Sequence, residues 1–361
     1  MARLRDVDAC PGALTLHRAA DGPLARIRLA GGMISAPQLA ALAHAAAQFG
    51  SPAMELTSRG NIQIRGITDE AAVAGAVAQA GLLPSATHEK VRNIVASPLS
   101  GRRGGRGDVR PLVAALDGAI QAEPMLATLP GRFWFGVDDG RGDVSGLAAD
   151  VGVHLLDERA ALLLAGRDTG VRLGPADAVA AMVAVAAQFG LVRGNAWRIK
   201  EFDNLDLLLD GLEASAGAGK RWPPVSRPPM GWLTQDDGRV TLGAAVPLGV
   251  FDAAVAEVLA AIGAPMVITP WRSLLICDLD EQAADASLRL LAPLGLVFDE
   301  KSPWLDVSAC TGSPGCAHSA GDVRARAARE LAVSAGIHRH YVGCERACGS
   351  RPGDKILRVS E

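Results

Sequence analysis

Short apolar stretches alternate along the chain with Ala-rich segments of helical period. Residues 26–29 read as a strand, and Leu39, Leu42, Ala46 and Phe49 then recur at the spacing of one helix face. Ser35 stands where an N-cap is expected, Pro37 falls in the first turn, and Gly50 ends the helix. Segments 54–56 and 61–64 follow as strands around Thr57-Ser58-Arg59-Gly60.

The same layout returns downstream. A strand at 239–242 precedes a helix through Val255, Val258, Leu259 and Ile262, then Gly263 and strands at 267–272 and 273–277. Without a gap, and at one constant offset, Arg26 aligns with Arg239, Gly50 with Gly263 and Arg59 with Arg272. Strand, helix, glycine and arginine repeated in register over about 50 residues predict a duplicated unit with pseudo-twofold character. Between the copies lie predicted strands at 133–137, 151–156 and 160–164, and a helix at 175–189 ended by Gly190. The Gly/Pro-rich stretch 215–229 reads as a linker and predicts a boundary near residue 225.

With 361 residues, 49% of them apolar, the chain can bury two or three cores. Lys plus Arg total 36 against 39 Asp plus Glu, which excludes a general attraction to nucleic acid or an anionic membrane, so any anion binding must be local. The N-terminal segment carries charges where a secretory apolar core would lie, and no apolar run approaches the roughly 20 residues that span a bilayer. A cytoplasmic location is the expectation. In that compartment six cysteines do not form a disulfide framework, which leaves metal ligation or burial.

The most specific chemical signal is Cys310-x5-Cys316, followed after a long gap by Cys344-x3-Cys348. Gly312, Pro314 and Gly315 lie inside the first loop, and Gly343 and Gly349 flank the second pair, so the backbone can fold closely around a compact inorganic core. Four soft thiolates from two loops suit an iron-sulfur cluster. Structural zinc is the rival, although its paired ligands usually have only two to four residues between them, and simple burial is the plain alternative. Cys277 ends an apolar strand and reads as core, and Cys10, in Ala-Cys-Pro-Gly, reads as a loop thiol.

The cysteine pattern, together with the twice-occurring half-domain, resembles the sulfite and nitrite reductase superfamily. Within it, Cys-Pro-Gly-Ala-Leu (10–14), Leu-Thr-Ser-Arg-Gly-Asn-Ile-Gln-Ile-Arg-Gly (56–66) and Arg-Asn-Ile-Val-Ala-Ser-Pro-Leu (92–99) look most like the precorrin-3B synthase family. The resemblance covers nearly the whole chain. It implies an α+β fold: ferredoxin-like half-domains at 10–75 and 228–290, a central α/β reductase-like domain at 84–222, and a cluster-bearing segment at 291–361. It implies a [4Fe-4S] cluster on Cys310, Cys316, Cys344 and Cys348; in the reductases the cysteine matching Cys348 also bridges to the iron of sirohaem. Only the short stretch from Gly349 to Glu361 follows Cys348, whereas the family usually continues with further strands, so the C-terminal segment is expected to be short.

Tetrapyrrole intermediates carry many carboxylates, and a planar guanidinium grips a carboxylate with two parallel hydrogen bonds. Arg59, Arg65, Arg92, Arg132 and Arg272 each stand at a turn or strand end. By resemblance, Arg59, Arg92 and Arg132 match basic residues that line the reductases' sirohaem and substrate pocket. The reductase pattern at Pro130-Gly-Arg-Phe-Trp134 has a second basic residue where this chain has Trp134. An indole cannot protonate a bound oxyanion but can pack against a ring system, which leaves room for a larger organic substrate. The Gly/Arg run at 100–110 could close over substrate carboxylates, but such loops are more commonly mobile and solvated.

What the resemblance implies for function is an O2-dependent monooxygenase. Its substrate is precorrin-3A, hydroxylated with lactone formation in aerobic cobalamin synthesis, with NADH as electron source and an electron-donor protein as partner. A mononuclear non-haem iron is the expected second centre; such iron commonly uses two histidines and a carboxylate, and His318, His338 and His340 lie nearest the cluster. A sirohaem-dependent sulfite or nitrite reductase, or a non-catalytic iron-sulfur electron carrier, remain as alternatives.

Overall fold

The computed structural model describes residues 8–331, 337–351 and 353–359; the charged residues 1–7 lie outside them. The chain divides into two compact units. One comprises Arg28–Gly31 and Ser85–Val225 with the stretch ending at Pro11, and the other Gly12–Ile27, Gly32–Pro84 and the chain from Ser226 onward.

The second unit opens with β1 (His17–Ala19), β2 (Gly22–Ile27), β3 (Met33–Ile34), α1 (Ala36–Phe49), β4 (Ala53–Leu56), β5 (Ile62–Ile64) and α2 (Glu70–Gln79). A full capping box starts α1: the Gln38 N–H donates to the Ser35 hydroxyl, and the Ser35 N–H donates to the Gln38 side chain. Leu39, Leu42, Ala43 and Ala46 bury the apolar face that the spacing predicts.

The other unit holds β6 (Ile94–Ala96), α3 (Arg110–Ala122), β7 (Phe135–Asp138), β8 (Val151–Leu155), β9 (Ala160–Leu164), β10 (Arg167–Leu173) and α4 (Ala178–Val192). Its sheet runs β10-β9-β8-β7-β6, parallel across β6, β7 and β8 and antiparallel beyond. Helix α4 does not end at Gly190 but continues to Val192. A glycine inside a helix costs only about 1 kcal/mol relative to alanine, and the neighbouring Phe189, stacked 5.3 Å from Phe133, holds that turn in place. The Gly/Arg run at 100–110 is tethered rather than loose: Arg106 pairs with Asp157, its N–H donates to the Asp139 carbonyl at 2.7 Å, and the Arg103 carbonyl accepts from Arg141 at 2.8 Å.

The chain then completes the second unit with β11 (Gly231–Thr234), β12 (Val240–Ala245), β13 (Val250–Asp252), α5 (Ala253–Ala261), β14 (Met266–Ile268), β15 (Ser273–Leu279) and α6 (Glu281–Leu291). Two five-stranded sheets result, ordered β1-β2-β5-β4-β13 and β11-β12-β15-β14-β3. Each copy lends one short strand to the other's sheet: β13 pairs with β4, and β3 with β14. This reciprocal exchange is the pseudo-twofold, and α1 packs against α5 across it.

The repeat is real, but its register differs from the gapless alignment. In the β4–β5 turn the Thr57 N–H donates to the Asn61 carbonyl and the Gly60 N–H to the Thr57 carbonyl; the β14–β15 turn has Thr269 to Ser273 and Arg272 to Thr269. The offset at the turn is therefore shorter by a single position, and Arg272 is the counterpart of Gly60, not of Arg59. Both occupy the left-handed region, at φ 67° for Gly60 and 56° for Arg272. Arg26 pairs across to Gln63, whose counterpart Leu275 pairs with Gly243, so Arg239 is not the equivalent of Arg26 either.

A three-stranded parallel sheet closes the second unit: β16 (Val307–Ala309), then α7 (Val323–Arg329), β17 (Arg339–Val342) and β18 (Lys355–Arg358). Val323 and Ala327 of α7 pack on Val307, Ala309 and Tyr341. Among the described residues no helix is long and apolar enough to cross a membrane.

Candidate functional site

Parallel pairing decides where the cysteines go. Cys310 leaves the C-terminal end of β16 and Cys344 lies just past the C-terminal end of β17, its pairing neighbour. The Cys310 N–H still donates to the Tyr341 carbonyl at 2.9 Å, so both loops start from one sheet edge. They also touch further out. A Cβ on Gly343 would stand 1.9 Å from Ser319 Oγ, and the Ser319 N–H donates to the Cys316 carbonyl, which lays the Cys316 loop directly against the residue before Cys344. Cys310, Cys316 and Cys344 are half-buried and Cys348 is exposed; none is in a disulfide.

Buried arginines brace these loops from behind. Arg65 makes a bidentate pair with Asp21, at 2.8 Å for each bond, lies 3.7 Å from Glu55, and donates to the Gly315 carbonyl at 2.7 Å. Burial works against its charge, but Asp21 and Glu55 outweigh that and hold its pKa above the ordinary value. A Cβ on Gly315 would come within 2.6 Å of Thr311 and 3.1 Å of Arg65, so only glycine admits this guanidinium. Arg272 donates to the Gly349 carbonyl at 2.5 Å. Its pKa is pushed down to about 10 by burial and by the nearby Arg351.

His338 and His340 point to one spot, as alternation along a strand requires, and that spot is Ser308. The serine Oγ lies 2.8 Å from His338 Nε2 and 2.7 Å from His340 Nδ1. The far ring nitrogens meet the Leu305 carbonyl at 3.2 Å and the Cys348 carbonyl at 3.0 Å. Burial, helped by Arg351 and Arg272, pushes His338 down to about 3; burial, then Arg272, pushes His340 down to about 4. Both rings are neutral at pH 7 and tied at both nitrogens, so they serve as structural hydrogen bonders rather than open metal ligands. His318 is exposed on the Cys316 loop, apart from this pair. Among the described residues, the group of three close metal-ligating side chains is Asp138, Asp139 and Asp143. There Asp138 accepts backbone N–H groups from Gly140, Gly142, Val144 and Ser145, which makes it a loop lock.

Arg92 and Arg132 belong to the other unit. Arg92 is buried and bidentate to Asp117 of α3, at 2.7 and 2.8 Å, so those donors are committed. Its neighbour Asn93 donates to the carbonyls of Gly131 and Phe133, at 2.9 and 3.0 Å, and brackets Arg132 between them. Arg132 is exposed, its Cζ 5.5 Å from the centroid of the Trp197 ring. It opens on a cleft of about 1280 Å³ that Lys90, Arg193 and Trp197 also line. Trp134, in contrast, is buried with Val95, Val144 and Ala149, so it offers no face to a ligand. Trp197 was not singled out by the sequence, because nothing in its local pattern separates it from a core aromatic. Arg59 sits half-buried in the β4–β5 turn of the second unit, its N–H donating to Thr57 Oγ1 at 3.3 Å.

Residues 17–74 match the nitrite/sulfite reductase ferredoxin-like half domain. Across 97% of its length the chain is 27% identical to a Sinorhizobium sp. protein named precorrin-3B synthase, and covers 80% of that protein. The chain is similar to precorrin-3B synthase over nearly its whole length. Among solved structures it resembles the Mycobacterium tuberculosis NirA protein, with a TM-score of 0.76 at 20% identity, over 91% of this chain and 69% of that one. At that identity the likeness to NirA concerns the fold, which is α+β in both descriptions of the molecule, by pattern and by structure.

Proposed function

We propose that this protein is a precorrin-3B synthase-like monooxygenase that hydroxylates precorrin-3A, with lactone formation, in aerobic cobalamin synthesis. The observation that carries the reading is the origin of both cysteine loops at one end of adjacent parallel strands. Cys310, Cys316, Cys344 and Cys348 would hold a [4Fe-4S] cluster, and their chemistry fits it: four thiols, three half-buried, on loops whose glycines permit close approach. A structural zinc usually takes its paired thiolates from a tighter loop than the one between Cys310 and Cys316, and that loop, braced by Arg65, suits a wider core than a single ion.

Bound there, the cluster supplies single electrons, ultimately from NADH, to oxygen chemistry at the macrocycle. The chain's own residues do the rest. Arg65 and Arg272 fix the carbonyls of Gly315 and Gly349, and so the cysteines beside them. Arg132 is the guanidinium that its unit offers to a substrate carboxylate, and Trp197 gives it a flat partner against which a ring can lie. With both histidine rings committed to Ser308 and backbone carbonyls, the reading assigns no second iron to them.

Electron paramagnetic resonance of anaerobically purified protein, with iron, acid-labile sulfide and tetrapyrrole assays on one sample, tests the reading. The expected result is a reducible cubane signal, no sirohaem band, and turnover of precorrin-3A that requires O2 and reductant. Colourless protein without acid-labile sulfide would overturn it, and a sirohaem band with sulfite or nitrite reduction would move it to the reductases.

A further inference from the structure

Behind the Cys348 loop, within the second unit, lies a small cavity lined by Arg272, Arg351, His338, Ser308, Trp271 and Leu305, among others. It offers about 20 Å³ to the centre of a water-sized guest. One water needs roughly 10–15 Å³ on the same measure, so the space takes a single small species and no organic acid.

Its electrostatics are unusual. The Arg351 side chain is 9% exposed, and its Nη1 is buried with no hydrogen-bond partner among the described residues. Arg272 is equally enclosed, and the Arg351 charge lowers its affinity for its proton. The acids do not cancel this. Asp354 accepts from the Arg351 backbone N–H at 2.7 Å and lies 3.8 Å from its Nε, while Glu55 is engaged by Arg324 at 2.7 Å and Arg65 at 3.7 Å. Among the described residues Arg65, Arg272, Arg324 and Arg351 thus face Asp21, Glu55 and Asp354, one positive charge in excess before the cysteine thiolates are counted. An uncompensated buried charge with an idle donor is costly, and a protein that keeps one has a use for the missing partner.

We propose that this cavity is a binding site for a single small inorganic anion of halide size, held by Arg351 and Arg272 with the Ser308 hydroxyl close by. The anion gives the idle Arg351 donor its partner and pins the 348–351 loop. It is separate from any grip on substrate carboxylates, since the cavity is too small to admit one.

Bromide is the probe. At constant ionic strength, replacing gluconate by bromide in full-length, anaerobically prepared protein is expected to raise Tm saturably, by roughly 2 °C or more. Arg351→Gln should abolish the halide-specific rise. Crystals grown with bromide should show an anomalous peak in contact with Arg351 Nη1, a measurement on the unsubstituted protein that stands even if the variant does not fold. Equal Tm in the two salts, or a crystal with no anomalous peak in the cavity, overturns the proposal. A cluster serving as the counter-charge would give that negative outcome.

Discussion

Arg65 is the residue whose removal tests the architecture of the cysteine site most directly. In Arg65→Met the side-chain volume is largely kept, while Asp21 loses both guanidinium bonds, Glu55 loses a charge at 3.7 Å, and the Gly315 carbonyl loses its donor. Breaking a buried ion pair by removing one partner costs about 3–5 kcal/mol. Two features lower that figure. The Asp21 side chain is 31% exposed, so water recovers part of its solvation, and Glu55, at 9% exposed, keeps Arg324 at 2.7 Å. The Gly315 carbonyl adds to the loss, because a hydrogen bond from a charged donor is worth roughly 1.5–3 kcal/mol. A net destabilisation of about 2–4 kcal/mol is expected, read as a lower denaturation midpoint with an unchanged slope. The local effect should be larger than the global one: without its brace the Cys316 loop releases iron to a chelator faster than the parent protein does. Arg65→Lys keeps the charge but cannot serve Asp21 in two-point fashion and Gly315 together, so stability should recover in part and chelator resistance should not. A Met variant within about 0.5 kcal/mol of the parent, holding iron and sulfide as firmly, would refute the bracing argument.

Asp143 gives a pH prediction of opposite sense. Burial, then the neighbouring Asp138 charge, pushes its pKa up to about 7, while Asp138 is held at about 2: burial would raise it, but His154 and the N–H groups of Ser145 and Gly142 prevail. Between pH 4 and 7 the folded state binds Asp143's proton more tightly than the unfolded chain, so this group costs stability as pH rises. Asp143→Asn should therefore gain on the order of 2 kcal/mol at pH 7 and flatten the slope over that window; a neutral variant less stable than the parent at pH 7 would contradict it. In Gly343→Ala the new methyl meets Ser319 Oγ at 1.9 Å and must push the two cysteine loops apart. Stability should fall by about 1–3 kcal/mol and iron content should drop sharply, both measurable on anaerobic protein. Arg132→Ala touches an exposed side chain, so folding should be unaltered while affinity for a carboxylated tetrapyrrole falls roughly tenfold or more by fluorescence titration. Unchanged affinity would take Arg132 out of the substrate site.

The primary structure by itself determined the local elements and the donor chemistry. Helix α1 was legible to the residue because capping is a short-range matter: Ser35, Gln38 and Gly50 act within a few positions of the backbone they satisfy. The duplication was legible because both copies repeat the same apolar periods, and the four cysteines because their flanking glycines mark loops. Register escaped it. Sliding one copy against the other by a single position leaves the apolar pattern nearly intact, and only the hydrogen bonds of the two turns show that Arg272 takes the place of Gly60. Partnership escaped it too. Arg59, Arg65, Arg92, Arg132 and Arg272 look alike in sequence, yet long-range packing ties Arg65 to Asp21, shuts Arg92 against Asp117, buries Arg272 beside Arg351 and leaves Arg132 exposed beside Trp197. An ionisable side chain's role depends on which distant carboxylate, carbonyl or cavity the fold sets within about 4 Å of it, and that is a property of tertiary structure alone.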